Sequence, residues 1–321
     1  MRSYNTLRNL TFIKSIKKFK MRYILLTLIS SLFIYGCNSS NARSDSAKTI
    51  KKNNFPTVDT ATSNKYAWLP NYDINNSIIN RIPVPEGFKR ETLTAGSFGD
   101  WLRHLPLKPG NPDVHLYNGK LKNYQEGHFA VLDIDVGSTD LQQCADAVMR
   151  MRAEYLYSIK DYDNLHFNFT SGHTIGFKKW TEGYRTKIHG NTVSYTKTVA
   201  NDDSYKTFKN YFKMIFNYAG TSSLSKELKS VSDLKEIEIG DVFIVGGFPG
   251  HAVLVVDVCK NEKTGETLFL IQQSYMPAQE IHILTNFNAA EFSPWYSINF
   301  SDDLKTPEWT FSKNQLMRFE K

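Results

Sequence analysis

Of the three cysteines in the chain, Cys144 is the one placed to do chemistry. It sits in "DLQQCADAVMRMRAEYLY", where apolar residues recur at helical spacing. A thiol becomes an effective nucleophile when a base takes its proton and a polar group orients that base. His251 is the matching base: it opens the apolar run "HAVLVVDVC", after a glycine-rich "GGFPG" that leaves room around its ring. The next apolar run, "TLFLIQQS", carries two amides, Gln272 and Gln273. Alternation along a strand lets only one of them face His251, and the sequence leaves open which. Gln143 is a candidate oxyanion donor beside the Cys144 backbone N–H. Trp180 and Arg185, in "KKWTEGYR", are candidates for lining a groove, with ordinary packing as the alternative.

These side chains need a helix and a sheet to carry them. Thr139 and Gln142 fit a capping box, which predicts a helix beginning near Asp140 and puts Leu141, Cys144, Val148, Met151 and Tyr155 on one stripe. Helix N-termini lower a thiol pKa through unpaired amides and partial positive charge. At the fourth or fifth helical position that effect is already fading. A reactive Cys144 is nevertheless expected to ionise well below about pH 8.5. "HFAVLDIDV" and "LHFNFTSG" read as strands and "GSFGDWLRHLPLKPG" as a short helix. "SYKTFKNYFKMIFNYAG" reads as a second long helix, stopped at Gly220. "DVFIVGG", "HAVLVVDVC", "TLFLIQQS" and "QEIHILT" then follow as strands. Helices ahead of an antiparallel meander predict an α+β fold. Within it, Asp241 is expected to cap a turn.

The charge distribution removes whole classes of function. Residues 1–36 hold seven of the 39 Lys and Arg and none of the 32 Asp and Glu, so the remainder is formally neutral. A neutral body lacks the basic footprint that phosphate backbones require, so no nucleic-acid partner is expected. No Walker motif and no G-x-G-x-x-G is present, which leaves no nucleotide site to expect. The histidines and cysteines show no zinc spacing, and no metal or cofactor is expected.

The basic start belongs to a targeting segment. "MRYILLTLISSLFIYGC" has an apolar run shorter than the roughly 20 residues of a spanning helix. Its ending, Ile34-Tyr35-Gly36-Cys37, resembles the bacterial lipobox, which implies that Cys37 is lipidated and becomes the mature N-terminus. Residues 1–36 are therefore read as a lipoprotein signal peptide and 37–65 as a flexible polar tether. Residues 66–321 are read as a single α+β domain. No acidic cluster follows Cys37, so the expected place is an outer membrane, facing the periplasm.

Cys144, Gly240-Asp241-Val242, Gly250-His251-Ala252 and Gln272 resemble the pattern of the papain-like NlpC cell-wall peptidases and amidases. The resemblance implies a Cys-bearing helix packed on an antiparallel sheet, with an insertion around 160–235. It also implies Cys144 as nucleophile, His251 as base and cell-wall peptide as substrate. Over the whole folded length the chain resembles a bacterial lipoprotein family, domain of unknown function 4846. "GSFGDWLRHLPLKPG", "DLQQCADAVMRMRAEYLY", "FNFTSG" and "QSYMPAQEIHIL" carry that likeness, which implies no activity.

Two quieter readings of Cys144 stand beside the nucleophile. Cysteine is among the most buried residue types, so the thiol can be core packing in a non-catalytic lipoprotein that binds an envelope component. A disulfide to Cys259 suits an oxidising compartment. Cys259, however, lies roughly 26 Å along an extended strand from His251. Disulfide Cα atoms lie within about 7 Å, so a disulfide and a catalytic pair exclude each other. Both thiols are expected to be free.

Overall fold

A computed structural model of the protein describes residues 65–320; the segment read as a signal peptide, Cys37 and nearly all of the stretch read as a tether lie outside them. Packing begins at once: Tyr66 is buried and its hydroxyl donates to the Trp101 carbonyl at 2.9 Å.

The chain runs through α1 (Ile78–Arg81), β1 (Lys89–Arg90), α2 (Phe98–Arg103), β2 (His128–Val131) and α3 (Cys144–Ser158). Two hairpins and three helices follow: β3 (His166–Asn168), β4 (Thr174–Gly176), α4 (Phe177–Thr181), β5 (Tyr184–His189), β6 (Thr192–Lys197), α5 (Tyr205–Tyr218) and α6 (Thr221–Glu227). The remainder is strand-rich: β7 (Lys229–Ser230), β8 (Val242–Val245), β9 (His251–Lys260), β10 (Thr267–Gln273), β11 (His282–Leu284), β12 (Tyr296–Ser297), β13 (Asp303–Lys305), β14 (Thr310–Ser312) and β15 (Leu316–Arg318).

The main sheet has the order β2-β11-β10-β9-β8-β15-β7, with β1 beside β9 and β12 beside β10. Every pairing is antiparallel. Helices on an antiparallel sheet make the fold α+β, and β8 to β11 form the expected meander. Strand β9 lies at its centre and is buried from His251 to Cys259. That explains its nearly unbroken apolar sequence, since a strand covered on both faces has no solvent side to alternate with. Ala252, Leu254 and Val256 belong to the apolar layer that also holds Val148, Met149 and Met151 of α3. Val253 and Val255 belong to a second layer with Phe269, Leu304 and Phe311, under the β13–β14 hairpin.

Residues 160–235, expected as an insertion, hold both small hairpins and α4 to α6. Their packing is aromatic: the Tyr157 and Phe208 rings stack at 4.3 Å, which fixes α5 against α3. Helix α5 follows the predicted stripe, with Phe208, Phe212 and Ile215 buried, and ends one residue earlier than expected, at an Ala219 cap.

Helix α3 departs from the expectation more usefully. It begins at Cys144, not near Asp140. Residues 139–142 are held by tertiary bonds instead: Asp140 accepts from the Ala278 amide at 2.7 Å, and Ser274 donates to the Gln142 carbonyl at 2.9 Å. The cap moves to Gln143, whose backbone N–H donates to the Asp146 carboxylate at 3.0 Å. Cys144 thus stands in the first turn, where the helix amides still lack partners. Likewise, "HFAVLDIDV" is shorter as a strand than predicted, because after Val131 only an isolated bridge from Leu132 to Leu107 continues it.

Candidate functional site

Cys144, His251 and Gln273 gather at one end of the sheet, where β9 begins and β10 ends. His251 stands opposite Val245 across the β8–β9 turn. Its Nε2 lies 2.9 Å from Gln273 Oε1. Gln273 is therefore the amide that faces the ring. Gln272 pairs with Leu254 and points to the helical layer, where it is buried and both of its polar side-chain atoms lack partners.

The thiol reaches the same strand end. The backbone of Ala145, of Ala252 and of Cys144 itself works to hold the thiol pKa down, and Ala252 directly follows His251. Tyr275 lies beside both groups: its ring centroid is 4.8 Å from that of His251, and its pKa is raised by burial first, then by Glu308 and Cys144. No hydrogen bond joins thiol and imidazole, and none engages His251 Nδ1 among the described residues. Trp309 and Phe311 cover the imidazole with ring centroids at 5.3 and 5.9 Å, leaving His251 1% exposed.

The electrostatics correct the expectation of an acidic thiol. Burial, then the neighbouring Asp146 carboxyl, pushes Cys144 up to about 11, against the pull of those three backbone groups. Asp146 is itself driven up to about 8 by burial, with Oδ1 unpartnered. Burial also lowers His251 to about 4, with the Gln273 bond opposing it. The resting pair is neutral thiol and neutral imidazole rather than a thiolate–imidazolium pair.

The glycines before His251 do not serve to open space around its ring. A Cβ on Gly250 would stand 2.5 Å from both the Gly247 carbonyl and Thr221 Oγ1. Thr221 Oγ1 in turn bonds the Gly247 backbone. The loop is seated tightly on α6 and holds Phe248 at its tip 95% exposed. Met276, in the loop after β10, is exposed at the same sheet end.

The other candidates fall elsewhere or take other roles. Gln143 Nε2 donates to Asp140 at 3.1 Å, so the side chain is engaged at the helix cap. Trp180 is buried against Tyr211, and the Arg185 guanidinium lies 4.4 Å from the Trp180 ring centroid, a packed pair in the α4–β5 layer. Asp241 accepts from the Glu238 amide at 2.8 Å and pairs with Arg318 at 2.6 Å, the capping role expected of it. Cys144 and Cys259 are free thiols, and burial pushes Cys259 up to about 12. Among the described residues no cluster of His, Cys, Asp or Glu could hold a metal ion, and no helix is long and apolar enough to cross a membrane.

Sequence reasoning missed His282, Glu308 and Lys122. Gln273 Nε2 donates to Glu308 Oε2 at 2.6 Å and lies 3.4 Å from His282 Nε2. Lys122 Nζ pairs with Glu308 Oε1 at 2.6 Å. The register was a usable signal for His282, which stands opposite Gln273 on the next strand of the meander. No local pattern marks Glu308 or Lys122.

Comparison with known proteins gives a family and no activity. Searches of curated proteins and of solved structures each match nothing. The family described as "Domain of unknown function (4846)" matches residues 78–318, which span α1 to β15 and every residue of the Cys144–His251–Gln273 site. The chain belongs to this family.

Proposed function

We propose that the protein is a lipid-anchored envelope hydrolase with a papain-like core, cutting amide bonds in cell-wall peptides with Cys144 as nucleophile and His251 as base. The observation that carries the reading is the His251–Gln273 bond at the sheet end met by the first turn of the Cys144 helix. Gln273 holds the Nε2 proton, leaving Nδ1 free to accept another. As Sγ attacks the carbonyl carbon, His251 takes the thiol proton, and the carbonyl electron pair moves onto oxygen beside the Cys144 amide. Collapse of that adduct expels the amine, which takes the proton from His251. Water then hydrolyses the thioester with the same base. A neutral resting pair suits proton transfer during attack, and its cost is a slow thiol in the absence of substrate. Exposed Phe248 and Met276 offer apolar contacts at the rim. The lipobox-like end at Cys37 supports an anchor in the outer membrane, facing the periplasm and its polymer.

Cys144→Ala and His251→Ala should each abolish release of amines from purified cell-wall peptides while keeping the native circular dichroism spectrum. The double variant should be no worse than either single one, because the two act as a unit. The second reading is a non-catalytic lipoprotein that binds an envelope component, and the raised thiol pKa favours it. Under that reading wild-type protein releases no amine and Cys144→Ala melts well below it.

A further inference from the structure

We infer that Glu308, held by Lys122, is a positioning residue that sets the tautomer of His251 through Gln273; its catalytic consequence rests on the hydrolase reading, its structural content does not. An amide has one accepting end and one donating end, so its neighbours decide which way it faces. The nitrogen end of Gln273 meets two groups. One is Glu308 Oε2 at 2.6 Å, and the other is His282 Nε2 at 3.4 Å. Both are acceptors. Lys122 Nζ donates to the second Glu308 oxygen at 2.6 Å, with the side chains of both partners mostly buried, so both Glu308 oxygens are met by donors. The same ammonium donates to the Tyr124 carbonyl at 2.9 Å, which fixes its place. His282 Nδ1 lies 2.8 Å from the Glu280 carbonyl, an acceptor, so the proton of this ring is on Nδ1 and its Nε2 is bare. Burial keeps that ring neutral, with a pKa lowered to about 3.

Turning the Gln273 amide over would aim its oxygen at a carboxylate and a lone pair inside a buried site, where unmatched polar groups are costly. The observed orientation is therefore forced, and Oε1 must face His251 Nε2. That nitrogen has to carry the proton, which leaves Nδ1 as the basic atom. The determinant sits on the connection from β13 to β14, 57 residues beyond the histidine it governs. The same hairpin supplies Trp309 and Phe311, which pack on the ring being oriented.

Long-range proton–nitrogen NMR of the full-length chain labelled with 15N-histidine reads the tautomer directly, and His251→Gln identifies the signals. Wild-type His251 should carry its proton on Nε2 with Nδ1 bare. Glu308→Ala should convert this to a mixture with the proton appearing on Nδ1, while His282 keeps its own Nδ1 proton. Should that variant fail to fold, the Lys122→Met/Glu308→Leu double variant removes both charges together and is expected to give the same mixture. A wild-type Nδ1–H tautomer overturns the inference without any variant, as does unchanged His251 in a folded variant of either kind. If the hydrolase reading also holds, Glu308→Ala lowers kcat with KM unchanged. A protein that cleaves nothing, yet whose tautomer responds to Glu308, removes only the hydrolase reading.

Discussion

The two ends of strand β9 bury polar side chains in the same sheet and treat them in opposite ways. At the far end, Asp257 accepts from Arg90 Nε at 2.6 Å, Arg103 Nε at 2.7 Å and the Val258 amide at 2.9 Å. The guanidiniums also donate onward, Arg90 to the Ile82 carbonyl and Arg103 to those of Glu91 and Val258. That side chain is met from several directions and ties α2 and β1 to β9. At the near end, His251 has one nitrogen engaged through an ordered chain of bonds and the other with no hydrogen-bond partner. A thiol stands nearby at a helix start. Burial is equal at the two ends, so burial does not mark a functional site. What distinguishes the candidate site is a chain of bonds that ends on one nitrogen of His251 and leaves the other without a partner.

The largest way to test this contrast is to strip the closed end. Asp257→Ala strands two guanidiniums beside a 0% exposed site, and losing one partner of a buried ion pair costs about 3–5 kcal/mol. Urea unfolding should show that loss, while on the hydrolase reading turnover per folded molecule stays the same. Lost turnover at nearly unchanged stability would place function at the wrong end.

Acid should act mainly on the open end. Burial lowers the His251 pKa from 6.5 to about 4 in the fold, so between those values the unfolded chain takes up a proton that the folded one refuses. Its contribution is complete above about pH 6.5 and is lost as pH falls toward 4. From pH 7 to pH 5 that amounts to about 2 kcal/mol of stability. His282, lowered to about 3, adds a loss of the same sign. Urea midpoints at the two pH values measure a net change, because Asp146, raised to about 8, and Glu227, raised to about 7, gain stability over the same fall in pH; the His251 share is the part that His251→Gln removes. A His251→Gln protein with undiminished pH dependence would mean that the ring is not held neutral.

The smallest effect separates two adjacent amides. Gln272 is buried with both polar side-chain atoms unpartnered, so Gln272→Met should be neutral or stabilise by about 1 kcal/mol and leave turnover intact. On the hydrolase reading Gln273→Met should lose turnover, because it cuts the bond that orients His251. Thermal melts and amine release from the two variants measured side by side decide it. Equal behaviour would dissolve the distinction.

Much of the near end was legible because its elements are locally encoded. The apolar runs around His251 and Gln273 are meander strands, and short connections make consecutive strands neighbours, so a histidine at one strand start meets an amide at the next strand end. The stripe through Val148 and Met151 gave the helix. Its start was misjudged because Thr139 and Gln142 carry a valid capping pattern that tertiary bonds from Ser274 and Ala278 override. The glycines of "GGFPG" were visible as a special loop, but their reason, contact with α6, comes from a helix far away in sequence.

The sequence by itself determined the α+β class, the candidate pair Cys144 and His251, and the rule that only one of Gln272 and Gln273 could face the ring. Each follows from a period or a residue type, and these act over a few neighbouring positions. Only the tertiary structure decided that Gln273 is the one, because that depends on the pairing register of β9 with β10. The thiol pKa followed the same pattern: helix position favours the thiolate, and burial with Asp146 outweighs it. Glu308 and Lys122 are the extreme case. Each is an ordinary charged residue in its own segment, and its role exists only because folding sets the two against one amide, in a place where water cannot substitute for either.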